Sequence, residues 1–233
     1  MTKKVVTMTA YKRPEYTREV LSGFSGCEGV GEYLLIAFVD GGSQEVADTI
    51  KRYSPFYTAF IYVNDTRVGC GENTKRALES GFAVRDFVIH AEDDVVPHKD
   101  YFRYMEWAAK KYADDKSVFA ITGFNNEKIT PEEYNKVYRR KSFCPWGWGT
   151  WKDRWEEMKS GWIEKEDENH SWDTRIKDVI RREREIIMPK LSRTRNIGRL
   201  GGTWGTEEKF DAIHSNQTGV WNVDFVPNGE YHE

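Results

Sequence analysis

The segment Val88–Pro97 reads VIHAEDDVVP, an apolar run that stops on three consecutive acids and then turns apolar again. Taken with Phe87, its first half predicts a short buried strand over 87–91, which places Glu92, Asp93 and Asp94 directly beyond the strand's carboxyl end. Three adjacent carboxylates repel one another unless cations or hydrogen-bond donors compensate them. In open α/β sheets ligands collect beyond the carboxyl ends of the strands, so the position itself points to a site. Hard oxygen donors suit Mg²⁺ or Mn²⁺, ions that commonly share one or two carboxylates with substrate phosphates. The competing reading is a solvated loop opening the next helix, where acids favour the helix dipole.

Upstream of this segment, strand-like and helix-like stretches alternate. Val5–Ala10 is β-rich, and Pro14 opens a helical stretch through Phe24, a position proline favours. Tyr33–Val39 (YLLIAFV) is continuously apolar, too short for a helix, and ends at Asp40-Gly41-Gly42, a turn signal. Ser43 is placed to cap a helix through Tyr53. A strand over 56–63, a helix over 71–84, a helix over 99–112 and a strand over 118–122 complete the series. Such alternation predicts an α/β fold with a mainly parallel sheet flanked by helices. Beyond residue 125 acidic, Trp-rich and basic stretches follow one another, with a strand expected over 138–144 and a helix over 172–187. Residues 1–233 are expected to form one domain, with an irregular C-terminal half over 126–233.

The chain has 233 residues, a formal net charge of −3, 39% hydrophobic residues and nine Trp. That aromatic content argues against disorder, and the charge argues against a strongly basic nucleic-acid binder while leaving a local basic patch open. No run approaches a membrane span. Cys27, Cys70 and Cys144 are odd in number and show no CxxC spacing, so free thiols and a cytoplasmic setting are expected. Neither GxxxxGK[ST] nor GxGxxG occurs, which leaves a nucleotide held through a metal on its diphosphate as the better fit.

Trp146, Trp148 and Trp151 lie around Gly147 and Gly149. Aromatic faces beside close backbone suit stacking against a sugar ring or flat base, and the three are candidates for an acceptor cleft; core packing is the alternative. Arg193, Arg195 and Arg199 fall in a Gly-bearing loop that would suit closure over a diphosphate.

Glu92-Asp93-Asp94 resembles the EDD form of the acidic DXD motif of GT-A (Rossmann-like) nucleotide-sugar glycosyltransferases. Leu191–Gln217 (LSRTRNIGRLGGTWGTEEKFDAIHSNQ) resembles the SRT…GRxG stretch of the N-acetylglucosaminyltransferase I family and its O-mannose relatives. CPWGWGTWKDRW, 144–155, is similar to a WGW-type acceptor-side loop of bacterial and viral sugar transferases. The resemblance implies a UDP-sugar donor held in the half spanning 1–125, an acceptor half over 126–233, and Mn²⁺ or Mg²⁺ on Asp94. It further implies that Arg13 contacts the nucleotide, Asp40 reads the uracil, Glu92 and Asp93 face donor sugar and ribose, Thr203 touches the nucleotide from a closing loop, and Asp173 is the base of an inverting transfer. Asp153 and Glu156 are reserve bases, and His214 is a candidate extra metal ligand. The acceptor is expected to be a glycan, a protein or a modified base of viral DNA. The membrane anchor and stem of the Golgi enzymes are not found, Asn73 stands where the family has His, and Thr206-Glu207-Glu208 replaces a two-aromatic helix start. A noncatalytic sugar- or nucleotide-binding module and a nucleotidyltransferase are the alternatives.

Overall fold

The computed structural model describes residues 4–162, 171–199, 207–214 and 229–233. In chain order its elements are β1 (Lys4–Ala10), α1 (Pro14–Ser25), β2 (Tyr33–Val39), α2 (Gln44–Tyr53), β3 (Thr58–Val63), α3 (Cys70–Phe82) and β4 (Phe87–Glu92). There follow β5 (Val95–Pro97), α4 (Tyr101–Lys111), β6 (Val118–Thr122), β7 (Val137–Arg140), β8 (Trp148–Trp151) and α5 (Lys152–Met158). The last are α6 (Thr174–Glu183), β9 (Glu185–Pro189), β10 (Thr194–Asn196) and α7 (Glu207–His214). Eight strands form one sheet in the order β3-β2-β1-β4-β8-β6-β9-β7, and β5 pairs with β10 as a separate two-stranded ribbon.

β1, β2, β3 and β4 pair in parallel, as do β6 and β9. β8 runs antiparallel to both β4 and β6, and β7 antiparallel to β9. Only β8 and β7 therefore oppose the common direction, and the architecture is the GT-A type of α/β fold. The sheet is covered on both faces, which is why β2 reads as an unbroken apolar run rather than an alternating one. On one face Val20, Leu21 and Phe24 of α1, Val46 and Ile50 of α2, and Phe102 and Met105 of α4 meet the strands. On the other lie Leu78 and Phe82 of α3, Trp155 of α5, and Ile176 and Ile180 of α6.

The first half matches the expected alternation closely. Ser43 holds the N-cap position of α2, but its side chain makes no capping hydrogen bond. The second half departs from expectation in three places, the first being that the strand expected over 138–144 stops at Arg140 as β7. The helix expected over 172–187 ends at Glu183, and EIIMP becomes β9, because Ile186 and Ile187 complete the sheet beside β6. The Trp-rich stretch contains β8, inserted between β4 and β6 at the centre of the sheet. Gly149 does not weaken this strand, since its missing side chain is the space that Phe87 and Met105 fill: a Cβ there would stand 2.7 Å from Phe87 Cζ.

His90, in the middle of β4, is fully buried and bonded through Nδ1 to the Thr7 hydroxyl at 3.0 Å. Burial lowers its pKa to about 3 from an ordinary 6.5. Between those values the unfolded chain takes up a proton that the folded chain refuses, so stability falls on acidification through this window. The slope from this one group is at most about 1.4 kcal/mol per pH unit. The wild type is accordingly expected to lose more stability between pH 6.5 and 4.5 than His90→Gln, by urea midpoints. Equal losses would show that His90 does not remain neutral.

Candidate active site at the strand ends

Glu92 ends β4, and Asp93 and Asp94 form the tight turn to β5, at the carboxyl edge of the parallel strands. They open a second strand rather than a helix, so the helix-dipole reading does not apply. Asp93 is tied to the end of β1: its Oδ2 accepts from the Tyr11 amide at 2.9 Å, and its Oδ1 from the Arg13 guanidinium. Arg13 Nη1 also lies 2.8 Å from Asp94 Oδ2, so one guanidinium compensates two buried carboxylates. Burial pushes the Asp93 carboxyl up to about 6, Arg13 opposing and Asp94 adding to the rise. Asp94 is raised by burial against the same Arg13. Glu92, only partly buried, is raised well above the carboxylate range by burial, then by Asp94 and Asp93; Asp173 contributes too.

Asp173 stands at the start of α6, which runs back to the amino end of β9, a strand parallel to β6. It therefore lies toward the same carboxyl edge, although it is 79 positions along the chain from Asp94. Cys144 reports the same corner: its thiol is pushed up to about 12 by burial, with Glu92 and Asp173 adding to the rise. Asp173 is the N-cap residue of α6. Ser171 Oγ donates to its Oδ1, and Lys177 Nζ lies 2.7 Å from its Oδ2. The preceding Trp172 is buried and stacks on Trp148 at 6.2 Å, with Trp162 at 5.3 Å from Trp172. These rings explain why this turn is held so firmly; truncating one such buried Trp costs about 3–5 kcal/mol.

Several expected residues have other surroundings. Trp148 is 0% and Trp151 7% exposed, on opposite faces of the sheet, so the first anchors the Asp173 turn and the second packs on Phe87. Neither offers a ring face to an acceptor. Trp146 is equally buried, at 8%, but lies elsewhere: it packs edge-on to Phe124 at 4.5 Å and face-on to His214, in the small apolar cluster that includes Val95 of the acidic turn's own ribbon. Arg193 is fully buried and is corrected from a diphosphate contact to a scaffold residue, its Nε donating to Asp100 Oδ2 at 3.2 Å and its Nη1 to the Leu191 carbonyl. Asp100 also receives Tyr231 Oη at 2.8 Å and faces His98 Nδ1 at 2.6 Å; these bonds and the Arg193 charge hold its carboxyl well below the usual range. Arg199 lies on the surface, paired with Asp211 and Glu207.

Asp40 ties its own loop to the segment between β3 and α3, accepting from Gly41 N at 2.9 Å, Val68 N at 2.8 Å and Gly69 N at 3.0 Å. Asn73, where a His was expected from the resemblance, donates to the Phe38 carbonyl and accepts from Asn64. Asp153 and Glu156 fall at the opposite end of the sheet, because β8 runs backwards and delivers α5 to the amino ends of the parallel strands. There Lys152 N donates to the Asp86 carbonyl, and Asp153 pairs with Lys116. His214 stacks on Trp146 at 5.3 Å and bonds through Nδ1 to the Phe210 carbonyl. Thr203 lies outside the described residues.

Residues 70–225 match the GNT-I family, a span holding the acidic turn, Asp173 and β10. The chain belongs to the GNT-I family. Arg13 and Asp40 lie upstream of that span. An Arabidopsis thaliana alpha-1,3-mannosyl-glycoprotein 2-beta-N-acetylglucosaminyltransferase is 31% identical over 169 residues, 67% of this chain and 37% of that protein. The GNT-I family chain thus spans little more than a third of that relative. Among solved structures, S. aureus TarS 1–349 superposes with a TM-score of 0.56 at 12% identity, covering 91% of this chain and 70% of TarS. Its complex with UDP-GlcNAc gives 0.55, with 90% and 64% covered. The mannosyltransferase PcManGT from Pyrobaculum calidifontis, with GDP-Man and Mn²⁺, gives 0.50 at 12% identity, with 71% and 49% covered. At such identity these structures speak to the fold. Among the described residues, no helix is long and apolar enough to cross a membrane.

Proposed function

We propose that this GNT-I family chain is a metal-dependent, inverting glycosyltransferase that moves a sugar from a UDP-sugar to an acceptor hydroxyl. The observation that carries the proposal is the meeting of Glu92-Asp93-Asp94, Arg13 and Asp173 at one carboxyl edge of the sheet. The N-acetylglucosaminyl activity in the name of the Arabidopsis relative and the UDP-GlcNAc bound to TarS support UDP-GlcNAc as the first donor to try.

Hard carboxylate oxygens fit Mn²⁺ or Mg²⁺. Among the described residues no three His, Cys, Asp or Glu side chains form a ready-made cage. Such ions commonly take one or two protein carboxylates and complete their shell with a diphosphate. Asp94 is the ligand proposed, its Oδ2 facing Arg13. When bound, such an ion neutralises charge on the departing diphosphate. Arg13 adds a second positive charge beside the same phosphates, while Asp93 holds the Arg13 head and the end of β1 in place. Asp173 takes the proton of the acceptor hydroxyl; the Ser171 bond and the Lys177 ion pair fix the carboxylate's direction. Of the three Trp only Trp146 lies beside the acidic turn's ribbon. It is proposed to back the acceptor side from within the cluster it shares with Phe124 and Val95 rather than to present a bare ring face.

A panel of UDP-sugars with Mn²⁺, read as free UDP, tests the proposal. Release of UDP from one donor, quickened by an acceptor alcohol and lost with EDTA, is expected. A chain that binds UDP-sugars but never releases UDP with any acceptor would instead be a binding module.

A further inference from the structure

We propose that Asn196 and Gly198 are positioning residues that hold the Asp94 carboxylate in its metal-binding orientation. This rests on the metal role proposed above for Asp94. β10 pairs antiparallel with β5, Asn196 standing opposite Val95, and the contact continues past the strand, where Ile197 N donates to the Asp94 carbonyl at 2.7 Å. The chain then turns back on itself: Asn196 Oδ1 accepts from Gly198 N at 2.7 Å. An amide has one accepting and one donating end, so this bond decides which end remains. The Nδ2 donor is left facing Asp94 Oδ1, at 3.4 Å.

Gly198 closes the other side. A Cβ on it would overlap Asp94 Oδ2 and stand 2.9 Å from Asp94 Cγ. The backbone of Gly198 is therefore a wall against which the carboxylate rests, with Asn196 fixing one oxygen and Arg13 facing the other. Asn196 is buried at 7% exposure, so no water competes freely for its amide. Partners that orient a metal-ligating carboxylate typically carry about 10- to 100-fold of the metal affinity. Neither residue needs to touch substrate for this effect.

Titration calorimetry of Mn²⁺ into the full chain saturated with UDP, with melting temperatures alongside, tests the inference. Asn196→Ala and Gly198→Ala are each expected to weaken Mn²⁺ by about 10- to 100-fold. Asn196→Ala should lower the melting temperature by about 4–8 °C, as for the loss of its two hydrogen bonds at about 1 kcal/mol each in a chain of this size. Asn196→Ala removes atoms without crowding, so it decides the matter even if Gly198→Ala fails to fold. Wild-type binding with Mn²⁺ affinity unchanged in Asn196→Ala would overturn the positioning role. A wild type that takes up no Mn²⁺ in the presence of UDP would instead overturn the metal reading of Asp94.

Discussion

Asp94→Ala is expected to reduce UDP-sugar turnover to less than about a thousandth of the wild-type rate, because it removes the proposed metal ligand and with it the charge that receives the leaving diphosphate. The fold should tolerate the change. Asp94 is one of three crowded acids whose burial opposes ionisation, and Arg13 keeps Asp93 as a partner when Asp94 is gone. Free UDP measured with UDP-GlcNAc and Mn²⁺ checks the rate, and circular dichroism melting checks the fold. Turnover within tenfold of wild type in a folded Asp94→Ala would remove the acidic turn from the chemistry.

Asp173→Asn is expected to lower kcat by at least about 10²-fold with little change in KM for the donor, since a general base contributes about 10²–10⁴-fold and an amide cannot take the proton. The substitution keeps the shape of the side chain and leaves an oxygen to accept from Ser171 Oγ. It gives up the ion pair with Lys177, so circular dichroism melting accompanies the rate, and an unchanged melt assigns the fall to the chemistry. Unchanged kcat would exclude Asp173 as the base. Glu92 would then be the carboxylate to examine, being partly buried and close to Asp173.

The two substitutions probe different supports. Asp94 sits on a turn between two strands and is backed by β10, whereas Asp173 stands at the start of α6, a helix anchored by a Trp cluster. The apparent acceptor signature of the Trp-rich stretch thus resolves into two roles. Trp148, with Trp155, Trp162 and Trp172, builds the core that carries Asp173, and Trp146 alone remains beside the acidic turn's ribbon.

Local information was enough for the first half of the fold and for the acidic turn. Unbroken apolar runs such as YLLIAFV can only be strands covered on both faces, and an acid triplet directly after one must lie at the sheet's carboxyl edge. The alternation from Val5 to Thr122 carried the parallel sheet, and residues 87 to 94 put three carboxylates at its edge. What lay beyond local reading was everything that depends on distant segments meeting. β8 and β9 are strands because their partners β4 and β6 lie beside them in space. Arg193 looks in the sequence like a phosphate-binding cation, yet Asp100 and Tyr231 sequester it in the interior. Asn196 carries no signal at all until β10 is laid against β5. A side chain's type is written locally, but its partner, and hence whether its charge is spent inside the protein or offered to a ligand, is set by which segments the tertiary fold brings within about 3 Å.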